Sequence, residues 1–387
     1  MPIVNRVADL QAEIAAWRHD FHAHPELLYD VHRTAASVAD KLKTFGCDEV
    51  VTGMGRTGVV GVIRGRRAGD KVVGLRADMD ALPIEEASDL PYKSTMPGKM
   101  HACGHDGHTA MLLGAAKYLA DTRNFAGTAI VIFQPAEEGG AGARAMIRDG
   151  LLDRFGIQKV FGMHSAPSLP VGEFAIRSGA MMASTDTIDI ELEGVGGHAA
   201  WPHYGVDTVL VGAQIVNQLQ SIVARNVDPL QAAVVSICVF QAGQTENVIP
   251  SNARLRGTAR SLSPQTRTLV EKRVREVVDG TARLYGAKAK IAYTPGYPIL
   301  VNEERQTDFA VSVAREIAGS DKVTTGSPPV MGGEDFAYML QERPGAFIWL
   351  GNGDSAPLHH PAYNFNDEAI PAGTSYWVRL AETALAV

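Results

Sequence analysis

The chain has 387 residues, too many for one ordinary core of roughly 100–200 residues, so two domains are expected. Its net charge of −7 argues against a nucleic-acid surface, and no apolar run in its 45% hydrophobic content approaches the ~20 residues of a membrane helix. Three cysteines, at 47, 103 and 238, make no disulfide framework, and the N-terminus shows no basic-then-apolar signal pattern, so a reducing cytoplasm is the expected compartment.

In chain order, Val7, Leu10, Ile14, Trp17 and Phe21 recur at three- and four-residue steps and predict a first helix, stopped near Pro25. The four histidines between 19 and 32 read as polar residues of that helix end and the loop after it. An amphipathic helix over 34–45 and a buried strand over 58–63 follow. Lys71–Ala77 is a second strand, running into Asp78-Met-Asp80. Next comes Met100-His-Ala-Cys-Gly-His-Asp-Gly-His108, with three imidazoles, a thiol and a carboxylate inside eight residues. Its donors suit a borderline transition metal better than magnesium or calcium. No second cysteine pair exists to make a structural zinc knuckle, so it is one part of a larger site. A helix over 109–119 follows, then a strand over 128–133 ending near Glu137-Glu138, and a strand over 159–163 ending in His164.

Alternating strands and helices predict an α/β domain with a largely parallel sheet flanked by helices. Ligands of such sheets bind outside the carboxyl ends of the strands. Asp78, Asp80, Glu137, Glu138 and His164 all fall there, and are expected to share a crevice with the 101–108 loop.

From Ser184 the texture changes. Ile188, Ile190 and Leu192 alternate with acidic residues, a strand with one wet face. A helix over 207–224, strands over 232–240 and 253–261, a helix opened by Ser263-Pro264, and a strand over 288–293 complete a split, ferredoxin-like α+β order. This small domain, 182–296, is expected to be inserted into the larger one, 1–181 and 297–387. The larger domain resumes with a helix near 303–318, Met331–Phe336, a buried strand over 346–350, His359-His360 and a last helix from about Pro371.

Cys103, His105, Glu138, His164 and His359 offer enough donors for two metal ions sharing a site. Two such ions roughly 3.5–4 Å apart can polarise a water and stabilise the oxyanion formed when it attacks a carbonyl. The adjacent glutamates offer one ligand and one general acid/base, and sequence physics leaves open which is which.

Eight segments in order carry a family resemblance: Arg18–Glu26, Leu75–Pro83, His101–His108, Gln134–Gly140, Gly162–His164, Gly196–His203, Asn247–Pro250 and Leu358–Phe365. The chain resembles the M20 metallopeptidases over nearly its whole length, in particular the amidohydrolase branch with hippurate hydrolases, N-acyl-amino-acid amidohydrolases and plant auxin-conjugate hydrolases. The resemblance implies a zinc-peptidase-like catalytic domain with a dimerisation or lid domain inserted. It implies Cys103, His105, Glu138, His164 and His359 as ligands of two divalent ions (zinc, manganese, cobalt or nickel). His359 is preferred to His360 because the ligand follows the leucine directly. Glu137 matches the general base, and Asp80 the carboxylate that orients a ligand or the base. His198 matches a histidine that reaches a partner subunit's site to stabilise the oxyanion, and Asn247 and Arg260 match contacts to the substrate carboxylate. Arg254 or Arg256 replaces Arg260 if the strand register slips. Asp78 stands where many M20 enzymes carry a histidine ligand, and the Cys103/His105 loop where they use a bridging aspartate; the amidohydrolase branch shares both changes. A thiolate favours zinc, nickel or cobalt over manganese.

The reading is a dinuclear metal amidohydrolase acting on N-acyl-L-amino acids, a homodimer or a tetramer, with no nucleic-acid or membrane partner. The alternatives are a dipeptidase or aminopeptidase on the same scaffold, which needs an acidic pocket for a free amine, and a non-catalytic metal-dependent binding protein. His101, Asp106 and His108 carry no assigned role.

Overall fold

The computed structural model describes residues 5–386, which divide into two compact units. Of these, the first comprises 5–179, 301–328 and 335–386; the second comprises 180–300 and 329–334. Sequence reasoning puts the changeovers at 181/182 and 296/297, and places all of 329–334 in the first unit. That segment goes with the second because its backbone pairs there. The Val330 N–H donates to the Met181 carbonyl at 3.0 Å, and the Ala183 N–H donates to the Gly332 carbonyl at 2.8 Å.

The first unit is built on an eight-stranded sheet. Its order is Glu49–Met54, Gly58–Arg64, Ala126–Gln134, Arg67–Asp78, Lys159–Pro167, Gly345–Gly353, Phe174–Ile176 and Val323–Thr325. The four central strands, from Ala126–Gln134 to Gly345–Gly353, are mutually parallel. Buried on both faces, they read as near-continuous apolar runs, which is why the sequence reveals them. The two strands before residue 65 are antiparallel, and Phe174–Ile176 is antiparallel to Gly345–Gly353. Glu49–Met54, Phe174–Ile176 and Val323–Thr325 were not predicted: two have three residues each, and the third is mostly unburied.

Helices Asn5–Ala23, His32–Thr44, His105–Thr122, Glu304–Ala318 and Ile370–Ala384 cover this sheet. Val7, Ile14 and Phe21 of the predicted apolar face are fully buried in the same core as Leu75, Val131, Met111, Val313 and Trp377. Removing each such side chain from water contributes about 1.5–3 kcal/mol, which is what fixes the helices to the sheet. Among the described residues no helix is long and apolar enough to cross a membrane.

The second unit has its own core, from Ile188, Ile190, Leu192, Val211, Ile215, Val270 and Val274. Its four-stranded antiparallel sheet has the order Ala233–Ala242, Asn252–Ser261, Ser184–Glu193 and Lys288–Pro295. With helices Thr208–Ser221 and Pro264–Leu284 after the first and third of these strands in sequence, this is the ferredoxin-like arrangement. Ser263 caps the second helix as predicted, its hydroxyl accepting the Thr266 N–H at 3.1 Å.

Candidate metal centre

The donors of the first unit gather at the carboxyl ends of its central strands. Asp78 ends Arg67–Asp78, Glu137 and Glu138 follow Ala126–Gln134, and His164 lies near the end of Lys159–Pro167. The 101–108 stretch is half helix rather than all loop, because Gly104 adopts φ +87° and starts the helix at His105. A side chain at 104 would also meet the Ser165 and Tyr363 hydroxyls at 2.7 Å, so glycine is required twice over. Cys103 and His105 flank this turn and point into the site.

Ligand atoms of Cys103, His105 and His164 lie within 4.8 Å of one another, as do those of Cys103, Glu138 and His359, and of His105, Glu137 and Glu138. The Cys103 Sγ is 3.3 Å from His164 Nε2, and His359 Nε2 is 3.2 Å from Glu138 Oε1. His360 is turned away, its Nδ1 accepting the Ala362 N–H at 3.1 Å. His359 itself adopts φ +65°, a strained backbone for a non-glycine residue, and over half of its side chain is exposed.

Two of the imidazoles and both glutamates are oriented by neighbours. His105 Nδ1 donates to the Asp80 carbonyl at 2.8 Å, and His164 Nδ1 donates to the Ser165 carbonyl at 2.7 Å. Carbonyl acceptors of this kind fix the tautomer and leave Nε2 for a metal. The Asp80 carboxylate accepts the N–H groups of Glu137 and Glu138 at 2.9 and 3.1 Å, setting the turn that presents both glutamates. Ala136 and Ala141 in that turn have positive φ, so its shape is held against backbone preference. The Glu137 side chain accepts the Asp335 N–H at 3.4 Å.

The electrostatics of the donor set suit a cation. Among the described residues, the buried His105 Nε2 makes no hydrogen bond, and the buried Glu138 Oε1 faces the His359 imidazole at 3.2 Å. Burial, and then the carboxylates of Glu138, Glu137 and Asp78, push the Cys103 thiol well above its usual range. Burial would lower the His105 pKa, but Asp78 and Asp80 outweigh it and raise it to about 10. Burial and the nearby His108 keep His164 neutral, its lone pair available. A divalent transition metal ion would take the place of these thiol and imidazolium protons, and sulfur, imidazole and carboxylate donors together fit such an ion.

The remaining residues of the stretch have places of their own. His108 donates from Nδ1 to Asp78 at 2.7 Å and accepts the Ser165 N–H at Nε2, 2.9 Å away, so both nitrogens are occupied. Asp106 accepts from His22 Nδ1 at 2.8 Å and Arg18 at 3.3 Å, all three buried. Burial lowers the His22 pKa, yet hydrogen bonds to Asp106 and Glu86 raise it to about 9. His22 lies in the last turn of the first helix, as the sequence reading had it, but is buried between two carboxylates that favour its charged form. His101 is buried, and neither ring nitrogen has a hydrogen-bond partner. Sequence reasoning missed Asp335, whose buried carboxylate accepts from Arg76 at 3.1 Å, Gln134 at 2.7 Å and the Ala143 N–H at 2.9 Å. Its signal was the acidic pair inside the apolar 331–336 stretch.

His198, Asn247 and Arg260 lie in the second unit. Gly197–His198 pairs with Val248–Ile249, and the Ala199 N–H donates to the Asn247 carbonyl at 3.0 Å, which brings the first two together. The Ala200 N–H donates to His198 Nδ1 at 3.1 Å, so the neutral ring carries its proton on Nε2. Thr245 donates to Asn247 Oδ1 at 3.1 Å, leaving the amide N–H groups as donors. Arg260 is half-buried on the Asn252–Ser261 strand, opposite Thr185, and no hydrogen bond or ion pair joins its guanidinium to another described residue. Burial holds its pKa below the usual arginine value. Arg254 and Arg256, the register alternatives, both lie against Asp189, at 2.5 and 3.6 Å.

Known proteins share this organisation. Residues 74–383 match the model of peptidase family M20/M25/M40. The hippurate hydrolase of Campylobacter jejuni is 43% identical over 98% of this chain and 99% of its own. The N-acetylcysteine deacetylase of Bacillus subtilis is 40% identical over 95% of this chain and 96% of its own. Among solved structures, the Bacillus subtilis YXEP protein, a dinuclear metal binding peptidase from the M20 family, superposes with a TM-score of 0.84 at 35% identity, covering 98% of this chain and 99% of its own. The chain is therefore a member of peptidase family M20/M25/M40, on its amidohydrolase side.

Proposed function

We propose that this amidohydrolase cleaves the amide bond of N-acyl-L-amino acids, releasing a carboxylic acid and a free amino acid. The observation that carries the reading is Glu137, a buried carboxylate within 4.8 Å of His105 and Glu138 donor atoms. Two divalent ions held by Cys103, His105, Glu138, His164 and His359 would supply Lewis-acid polarisation of the carbonyl and acidify the attacking water. The thiolate favours zinc, cobalt or nickel over manganese there.

The chain's own residues do the rest. Asp80 holds the Glu137–Glu138 backbone and, through its carbonyl, the His105 ring. Glu137 takes the proton of the attacking water and delivers it to the leaving nitrogen as the C–N bond breaks. His198, protonated on Nε2, donates to the oxyanion. Arg260 and the Asn247 amide bind the free carboxylate, a role supported by the unpaired guanidinium, which matches a carboxylate bidentately. The hydrolase and deacetylase activities named for the two relatives support the same substrate class.

Glu137→Gln tests the base: kcat falls by roughly 10²–10⁴-fold with metal content intact, and retained turnover removes Glu137 from the role. His198 acts across a homodimer formed by the second unit. Sedimentation of the active enzyme checks this, since a fully active monomer would exclude the role in trans.

A further inference from the structure

We propose that Gly333 is a positioning residue for Arg260, and that its missing side chain keeps the guanidinium aimed at the substrate carboxylate. The inference rests on the carboxylate-binding role given to Arg260 above. Gly333 lies in the 329–334 segment, which belongs to the same unit as Arg260. Its φ lies outside the positive range, so backbone conformation does not demand glycine. Space does. A β-carbon at 333 would stand 2.2 Å from Thr185 Cγ2, 3.4 Å from Arg260 Nη1 and 3.5 Å from the Ala183 carbonyl.

Thr185 cannot turn aside cheaply. Its Oγ1 accepts the Tyr297 N–H at 2.9 Å, its own N–H donates to the Tyr297 carbonyl at 3.0 Å, and its carbonyl accepts the Gly296 N–H at 2.7 Å. The hydroxyl bond fixes χ1, and χ1 fixes the methyl that faces Gly333. Arg260 is Thr185's partner across the two strands. A methyl at 333 therefore displaces either the segment or Thr185, the cross-strand partner of Arg260, and both alter how Arg260 is presented. The adjacent glycine is the contrast: a β-carbon at 332 would meet just the flexible end of Met182, at 3.4 Å.

The effect should appear in KM and not in kcat, because Arg260 binds a part of the substrate remote from the bond that breaks. The test compares Gly333→Ala, Gly332→Ala, Arg260→Ala, Gly333→Ala/Thr185→Ser and Gly333→Ala/Arg260→Ala on the best substrate of a panel of N-acetyl, N-benzoyl and N-indolylacetyl amino acids. Gly333→Ala should raise KM roughly tenfold with kcat within about threefold, while Gly332→Ala changes neither by more than about twofold. Thr185→Ser removes the obstructing methyl and keeps the oxygen that Tyr297 needs, so it should bring KM of Gly333→Ala back toward the parent value. In the Arg260→Ala background, adding Gly333→Ala should leave kcat/KM unchanged, since a residue acting through Arg260 has nothing left to act on.

The two ideas fail separately. Unchanged KM in Arg260→Ala would remove the carboxylate role itself. Raised KM in Arg260→Ala with any of three results would overturn the role of Gly333: a silent Gly333→Ala, no rescue by Thr185→Ser, or additive losses in the double variant.

Discussion

The donor set of the first unit and the contact residues of the second are built on opposite terms. Cys103, His105, Glu137 and His164 are buried, and each imidazole is fixed by a carbonyl behind it. His198 and Asn247 are exposed, and Arg260 is half-exposed without a partner. The first arrangement holds charge that must not move, in a place where unbalanced charge is costly. The second presents donors to water until something displaces it. The buried donors of the first unit are thus pre-set, whereas the proposed contact residues of the second face solvent on a surface shaped by backbone pairing and a few side-chain contacts.

That contrast can be broken by perturbing each region and reading both. Stripping divalent ions with a chelator should lower turnover by more than about 10³-fold, with recovery on re-addition, because the first unit's site is the sole source of the polarising charge. Residual activity in ion-free enzyme, checked by elemental analysis, would dissolve the division. Asp186→Ala should act on the second unit. Asp186 is buried and accepts from Arg267 Nε at 3.1 Å, Tyr293 at 2.8 Å and the Gly296 N–H at 3.3 Å. Removing it leaves Arg267 half-satisfied and should cost about 3–5 kcal/mol in urea unfolding, with ion content unchanged. His108→Phe sharpens the picture within the first unit. It keeps a buried ring but loses the bonds to Asp78 and Ser165, and metal affinity by chelator competition should fall about 10–100-fold. Unaltered affinity would make His108 a packing residue.

Much of this was readable from the chain, for definite reasons. The central strands announced themselves because burial on both faces demands uninterrupted apolar runs, as in Ala129–Phe133. Donors at their ends followed from the parallel topology. His359 was separable from His360 by resemblance, not by any physical property of the sequence. The division of labour within 101–108 was hidden, because it turns on Gly104: once the helix starts at His105, His108 comes round to Asp78 and Asp106 to Arg18 and His22. Partners between 30 and 90 residues away in sequence leave no periodic trace. Gly333 was invisible for the same reason, since it matters through what surrounds it and not through its own type, and the acidic pair at 334–335 was the one trace of Asp335.

The 329–334 segment has a consequence for how the chain is made. The polypeptide passes between the units at 179/180, 300/301, 328/329 and 334/335. A ribosome that has released residue 300 has supplied every core residue of the second unit, yet Arg260 still lacks the backbone that will lie beside it. Synthesis of this protein therefore completes the surroundings of Arg260 late, after much of the first unit has emerged. A fragment cut at 180 and 300 would carry the fold of the second unit with an unfinished edge.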